Sequence, residues 1–193
     1  MKRRDAVQLL AVAPLTAAFQ WTPQSVREAS ARAREALARG TTYEPKQFTA
    51  HEWETVRVLV DLIIPKDERS GSATEAGVPE FMDFMLGDDP ELQTPVRGGL
   101  AWLDHECDDR YGKTFVACTV AERGAVLDAV AWPAKAKPEH AGVEFFNRFR
   151  DLTAAGFFSS RMGVQDLRYI GNTFVSEWKG CPPEALAKLG VSY

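Results

Sequence analysis

The sequence predicts an all-α fold, a compact multi-helix single domain behind an N-terminal signal segment, and three observations carry that prediction. Apolar residues recur at spacings of three and four in one segment after another, which puts them on a single stripe of a 3.6-residue helix. Two stretches, Thr49 to Glu52 and Thr119 to Glu122, have the form of a capping box just ahead of an apolar run. No segment alternates apolar and polar residues as a half-buried strand requires, and no internal repeat occurs.

At 193 residues the chain is long enough for one domain with a real core and short for two. Its 45% hydrophobic and 26% charged residues match a globular average and exclude both disorder and a polytopic membrane protein. A net charge of -4, with no clustered Lys/Arg stripe, excludes a nucleic-acid footprint, because neutralising phosphates takes a local cation surplus.

The chain opens MKRRDAVQLLAVAPLTAAFQW. Three cations, an apolar run too short for the roughly 20 residues that span a bilayer, and small residues at Thr16-Ala17-Ala18 form the signature of a cleavable export signal over residues 1–18. The adjacent Arg3 and Arg4 point to the twin-arginine route, which exports folded proteins, and so to a periplasmic location. The fit is partial, since Lys2 stands where Ser or Thr is usual and Asp5-Ala6-Val7 replaces the usual Phe-Leu. A retained amphipathic helix is the alternative. Cleavage after Ala18 removes three cations and one acid, taking the net charge from -4 to -6.

Residues 19–45 read as a linker or arm and 46–193 as the helical domain. Within the arm, Ser25 to Gly40 has helical spacing but a thin, mostly alanine face among four arginines, so a frayed linker helix is expected. From Thr49, the residues Trp53, Val56, Leu59, Val60 and Ile63 define a strong helix that Pro65 ends, and on it Arg57 and Asp61 are placed to pair. KDERSGSATEAGVPEF is a polar surface loop, with Pro79 in the first turn of a helix through Phe81, Met82, Phe84, Met85 and Leu86. A helix between Glu91 and Arg110 contains Gly98-Gly99, each costing about 1 kcal/mol against alanine, which implies close helix packing or a kink. Thr119 opens another helix through Val126, Leu127 and Val130. After a Pro- and Lys-containing connection, Phe145, Phe146, Phe149, Leu152 and Phe157 or Phe158 form a buried stripe, more consistent with core than with a cofactor box. Gln165 to Ile170 supports a short helix, and an extended Trp178 to Pro183 stretch precedes a last helical turn ending at Gly190.

Catalytic motifs are sparse. His105-Glu106-Cys107-Asp108-Asp109 has the ligand types of a transition-metal site, but neighbours on a helix point about 100° apart and do not converge, leaving only a His105–Asp109 pair. The GxSxG elbow and the GxGxxG fingerprint are both missing, and no catalytic, cofactor-binding or metal-binding residue is assigned. A stand-alone sugar-acting catalyst would have to build its site from the His105–Asp109 helix with His51 or His140; a structural envelope protein is a further alternative. The three cysteines, an odd number for an exported protein, allow one bridge within the chain and one to a partner. Cys107 and Cys118 flank a segment able to fold back and bring them together. Cys181, in a Gly-Cys-Pro-Pro stretch, is then left over as an intermolecular link or a buried thiol.

Taken in order, MKRRDAVQLL, LIIPKDERSGSATEAGVPEF, GGLAWLDHEC, FFNRFRDLTAAGFFSS, MGVQDLRYIGN and GCPPEALAKLG give the chain a resemblance to the gluconate 2-dehydrogenase subunit 3 family over its whole length. The resemblance implies a non-catalytic small subunit of a sugar, sugar-acid or glycoside dehydrogenase that is periplasmic or membrane-associated through its complex. It implies two partners: a glucose-methanol-choline-type large subunit carrying FAD and the catalytic base, and a multihaem cytochrome c. Haem c or an iron-sulfur centre would lie elsewhere in the complex, with no cofactor on this chain. It also implies that the signal serves the flavoprotein, carried out bound to the small subunit, and gives Cys181 a role as a covalent tie to it. The expected docking residues are Ser70, Gly71, Phe157, Phe158, Met162, Trp178 and Cys181.

Overall fold

The computed structural model describes residues 21–132, 141–168, 176–177 and 180–192, and these residues form eight α-helices and two short 3-10 turns with no strand among them. Helix α1, Pro23–Ala38, starts where the Thr22 side chain accepts the Ser25 N–H at 3.1 Å and a proline occupies the first turn. The expectation that this segment frays is corrected by the structure. Its small stripe of Ala29, Ser30 and Ala33 is buried against helix α3, Val78–Asp88, and helix α6, Ala141–Ser159. Alanine buries little area per residue, but it lets backbones approach closely, and polar bonds complete the contact. Ser30 and Ser159 hydroxyls meet at 2.5 Å, Arg32 pairs with Asp88, and its guanidinium lies 4.9 Å from the Phe84 ring centre.

The chain then crosses to helix α2, Ala50–Ile63, held down by one buried carboxylate. Asp83 on α3 accepts the Tyr43 hydroxyl at 2.7 Å and the Gln47 and Lys46 amides at 2.8 and 3.0 Å. Burial, and then the Asp83 carboxylate, push the Tyr43 phenol far above its usual range. The capping box of α2 is formed in both directions between Thr49 and Glu52, and Thr55, Val56, Leu59 and Val60 are its buried face. Ile64 leaves the helical region because the residue before a proline is pushed to extended geometry.

Gly77, with φ at 84°, enters the left-handed region that favours glycine and turns the loop into α3, whose Val78, Phe81, Met82, Met85 and Leu86 form the centre of the core. A 3-10 turn, Pro90–Leu92, leads into helix α4, Gln93–Tyr111. A Cβ at Gly99 would lie 1.8 Å from the Phe145 ring of α6, whereas one at Gly98 would meet nothing within 4 Å. One glycine of the pair therefore carries the close packing that the sequence implies. Gly112, φ 68°, ends α4, and a second 3-10 turn, Phe115–Ala117, precedes helix α5, Val120–Ala131, again opened by a complete capping box.

Helix α6 touches every preceding α-helix and is the spine of the fold. Phe146, Phe149, Leu152 and Phe157 are buried, which resolves the sequence alternative at the end of the stripe in favour of Phe157. Helix α7, Arg161–Asp166, begins before the Gln165 start that the sequence implies, because the Ser160 side chain accepts the Gly163 N–H and starts the turn there. Helix α8, Pro183–Leu189, buries none of its residues and ends at Gly190 in the left-handed conformation. No helix among the described residues is long and apolar enough to cross a membrane.

Candidate interaction site

The loop after α2 is polar in sequence yet rigid in structure, because nearly every turn of it is tied. The Asp67 carboxylate accepts the Ser70 and Arg69 amides at 2.8 Å each, and these bonds hold it below the usual carboxylate range. Glu75 pairs with Lys66 at 3.0 Å and accepts the Ser72 amide at 3.1 Å; the lysine, then the amide, lower its carboxyl as well. Asp61, expected to pair with Arg57, instead accepts the Thr74 amide at 2.7 Å and anchors the loop to α2.

The same loop is tied to α7. Arg69 donates to the Asp166 carbonyl at 2.6 Å and lies 3.0 Å from its carboxylate, while a Cβ at Gly71 would sit 2.9 Å from the Met162 side chain. Gly163 allows α7 to fold tightly onto the end of α6, since a Cβ there would be 2.1 Å from the Phe157 carbonyl. These contacts enclose a groove of about 250 Å³ between α1, the loop and the α6–α7 corner. Ala33, Leu37, Ala76, Phe81 and Met162 form its apolar wall, and Arg34, Glu75, Arg161 and Gln165 its polar rim. Leu37 is half-exposed in it. The groove has the mixed character of a small contact surface, with apolar anchors inside a charged edge.

Of the expected docking residues, Ser70, Gly71 and Met162 meet at the join of this loop and α7, although 91 positions separate Gly71 from Met162. Phe157 and Phe158 divide the work: Phe157 is core at 1% exposure, and Phe158, edge-on to it at 5.2 Å, presents its ring at 41%. Cys181 is exposed, so the buried-thiol alternative does not hold for it. Arg3, Arg4, His140 and Trp178 lie outside the described residues.

The other candidate chemistry gathers at the start of α2. His51 Nε2 meets Asp104 Oδ2 at 2.5 Å beside a cavity of about 230 Å³ lined by Thr49, Glu52, Thr55 and Arg97. Each polar group has a structural engagement. Asp104 also accepts the Phe115 amide at 2.8 Å, Thr55 donates to the His51 carbonyl at 3.0 Å, Thr49 caps Glu52, and Glu52 accepts Arg97 Nε at 2.7 Å. Burial raises the Glu52 carboxyl, but the bonds from Arg97 and Thr49 outweigh it and leave the group below its usual range. A histidine-carboxylate pair becomes a base for catalysis when a nucleophile is held on its other side. Here the hydroxyls that line the cavity are turned to backbone, and the pair clamps α2 to α4. His105 lies 3.7 Å from Asp109, as the spacing implies. Among the described residues no three His, Cys, Asp or Glu side chains are grouped to hold a metal ion.

Fold and site thus define a small all-helical domain with a rigid, partly apolar contact groove. Residues 50–177 match the sequence profile described as gluconate 2-dehydrogenase subunit 3, and the chain belongs to that family. The family takes its name from a subunit of a multi-subunit dehydrogenase, which makes this chain an accessory-subunit type. No match was found among curated proteins or among solved structures.

Proposed function

We propose that this chain is the non-catalytic small subunit of a periplasmic or membrane-associated FAD-dependent dehydrogenase of sugars, sugar acids or glycosides, needed for export and assembly of its flavoprotein. Membership of the subunit 3 family across residues 50–177 carries this reading. In it, the glucose-methanol-choline-type partner holds FAD and the catalytic base, and electrons pass from the flavin to haem c of a multihaem cytochrome or to an iron-sulfur centre elsewhere in the complex. A flavin is inserted into a folded protein and cannot follow an unfolded chain through a narrow pore, so a twin-arginine signal on the small subunit serves both chains. The groove between α1, the 66–77 loop and α7 supplies a rigid docking face, and exposed Cys181 supplies a thiol for a covalent tie.

The test is to purify the tagged full-length chain from its native host and read the flavin absorbance and sugar-dependent dye reduction of what comes with it. A co-purifying flavoprotein whose activity moves from periplasm to cytoplasm when Arg3 and Arg4 are replaced by lysine supports the proposal. Turnover of sugar by this chain alone, or purification without flavin, overturns it. A partner band unshifted on non-reducing electrophoresis removes the Cys181 tie and leaves the rest standing.

A further inference from the structure

The corner between α4 and α5 holds two buried thiols that the contact groove does not use. Cys107 lies on the inner face of the last turns of α4, fully buried, and Cys118 follows the 3-10 turn at 3% exposure. Eleven positions apart in sequence, they are neighbours in this corner, close enough that Cys118 acts on the Cys107 thiol. The corner that brings them together is built from several independent ties. Gly112 reverses the chain, Asp104 accepts the Phe115 amide at 2.8 Å, and the Cys118 amide closes on the Thr114 carbonyl at 3.2 Å. Arg123 donates to the Phe115 carbonyl at 2.9 Å and to Val116, its guanidinium 5.7 Å from the Phe115 ring centre, and Lys113 pairs with Glu122 at 3.1 Å. Two thiols so fixed have a high effective concentration for each other, because little conformational freedom remains to be lost on joining them.

We propose that Cys107 and Cys118 are an intrachain oxidation site, closed to a disulfide by exchange with a disulfide oxidant and serving to lock the α4–α5 corner. One cysteine thiolate attacks the oxidant's sulfur and expels one thiol, and the second displaces the mixed disulfide and releases the other. Both cysteine protons leave, two electrons pass to the oxidant, and the protein becomes two hydrogens lighter. Burial, and then the nearby Cys118 sulfur, push the Cys107 thiol up to about 12, so Cys107 holds little thiolate while the corner is closed. Exchange therefore runs while the corner is open, during folding or local unfolding, and the finished bond resists reductant in the native protein. The proposal stands on the geometry of this corner and does not depend on the flavoprotein.

The experiment refolds the full-length chain in oxidised glutathione, quenches with acid, alkylates in denaturant without reductant, and maps the peptides by mass spectrometry. A linked Cys107–Cys118 pair with Cys181 alkylated or glutathionylated is the expected result. Alkylation of both Cys107 and Cys118, or linkage of either to Cys181, overturns the proposal. The Cys181→Ser variant should keep the link, and its loss there also overturns it. Dithiothreitol with denaturant should open the bond, and the reduced protein should then melt about 5–10 °C lower, the scale of a short-loop disulfide in a chain of this size. An unchanged melting temperature overturns the locking role. The Cys107→Ser/Cys118→Ser variant should melt at the same temperature with and without oxidant; a persisting difference assigns the effect to Cys181 and refutes the pair.

Discussion

Replacing Gly99 by alanine should destabilise the protein, and the same change one position earlier should stabilise it. Both glycines lie inside α4, where alanine gains about 0.5–1 kcal/mol over glycine from backbone entropy alone. At Gly98 nothing stands within 4 Å of the new methyl group, so that gain is realised in full. At Gly99 the methyl would sit 1.8 Å from the Phe145 ring. The ring cannot step aside cheaply, since it lies between Trp102, 6.5 Å between ring centres, and Phe149, 5.5 Å away. Overpacking costs about 1–3 kcal/mol, and a contact this close belongs at the upper end, about 2–3 kcal/mol, which outweighs the helical gain and leaves a net loss of about 1–2 kcal/mol. The two variants should thus differ by about 2–3 kcal/mol, the overpacking cost alone, or roughly 4–12 °C in Tm for a chain of this length. Thermal and urea denaturation followed by far-UV circular dichroism reads both. Adding Phe145→Ala to Gly99→Ala should give a smaller loss than the two single changes summed, because the first removes the ring that the second strikes. Gly99→Ala as stable as Gly98→Ala would refute the α4–α6 close approach.

Three other outcomes follow from the geometry. Thr119→Ala removes the side chain that accepts the Glu122 amide and should cost about 1 kcal/mol, while Val120→Ala beside it, 70% exposed, should stay within about 0.5 kcal/mol by urea denaturation. Glu80 is buried, its Oε2 has no hydrogen-bond partner among the described residues, and burial holds its carboxyl above the usual value. A raised folded-state value gives stability that is complete below the ordinary 4.5 and is lost as pH rises through the folded value. Glu80→Gln should therefore remove that decline, and urea midpoints that fall as pH rises above 4.5 just as in the parent would count against it. Leu37→Asp, at a half-exposed side chain in the groove wall, should leave Tm within a few degrees yet reduce co-purified flavin tenfold or more, as for an apolar anchor of a contact; full retention of flavin would place the docking face elsewhere.

The legible parts of this protein were the local ones. A capping box involves residues three apart, so Thr49 with Glu52 and Thr119 with Glu122 could be read from spacing and are found formed. Apolar side chains at helical spacing likewise forced a stripe on α6, of which Phe146, Phe149, Leu152 and Phe157 are buried and Phe145 is half-buried, though whether Phe157 or Phe158 ended it depended on α7 folding back at Gly163. The alanine face of α1 gave no such signal. Its contribution comes from letting α3 and α6 come close, and that depends on their shape rather than on its own hydrophobicity.

The candidate site was less visible for the same reason. Gly71 and Met162 were each singled out on local grounds, but their meeting, and Arg69 reaching Asp166 across 97 positions, is a product of how α7 packs. The His51–Asp104 clamp spans 53 positions and carries no sequence signature, since neither residue type in isolation reveals its partner. Sequence alone determined helix positions, their caps, the charge balance and the family resemblance, because those depend on residues a few positions apart or on the order of short motifs. Tertiary structure alone decided which glycine, which phenylalanine and which carboxylate does each job. Those choices turn on contacts of a few ångströms between segments that are distant in the chain.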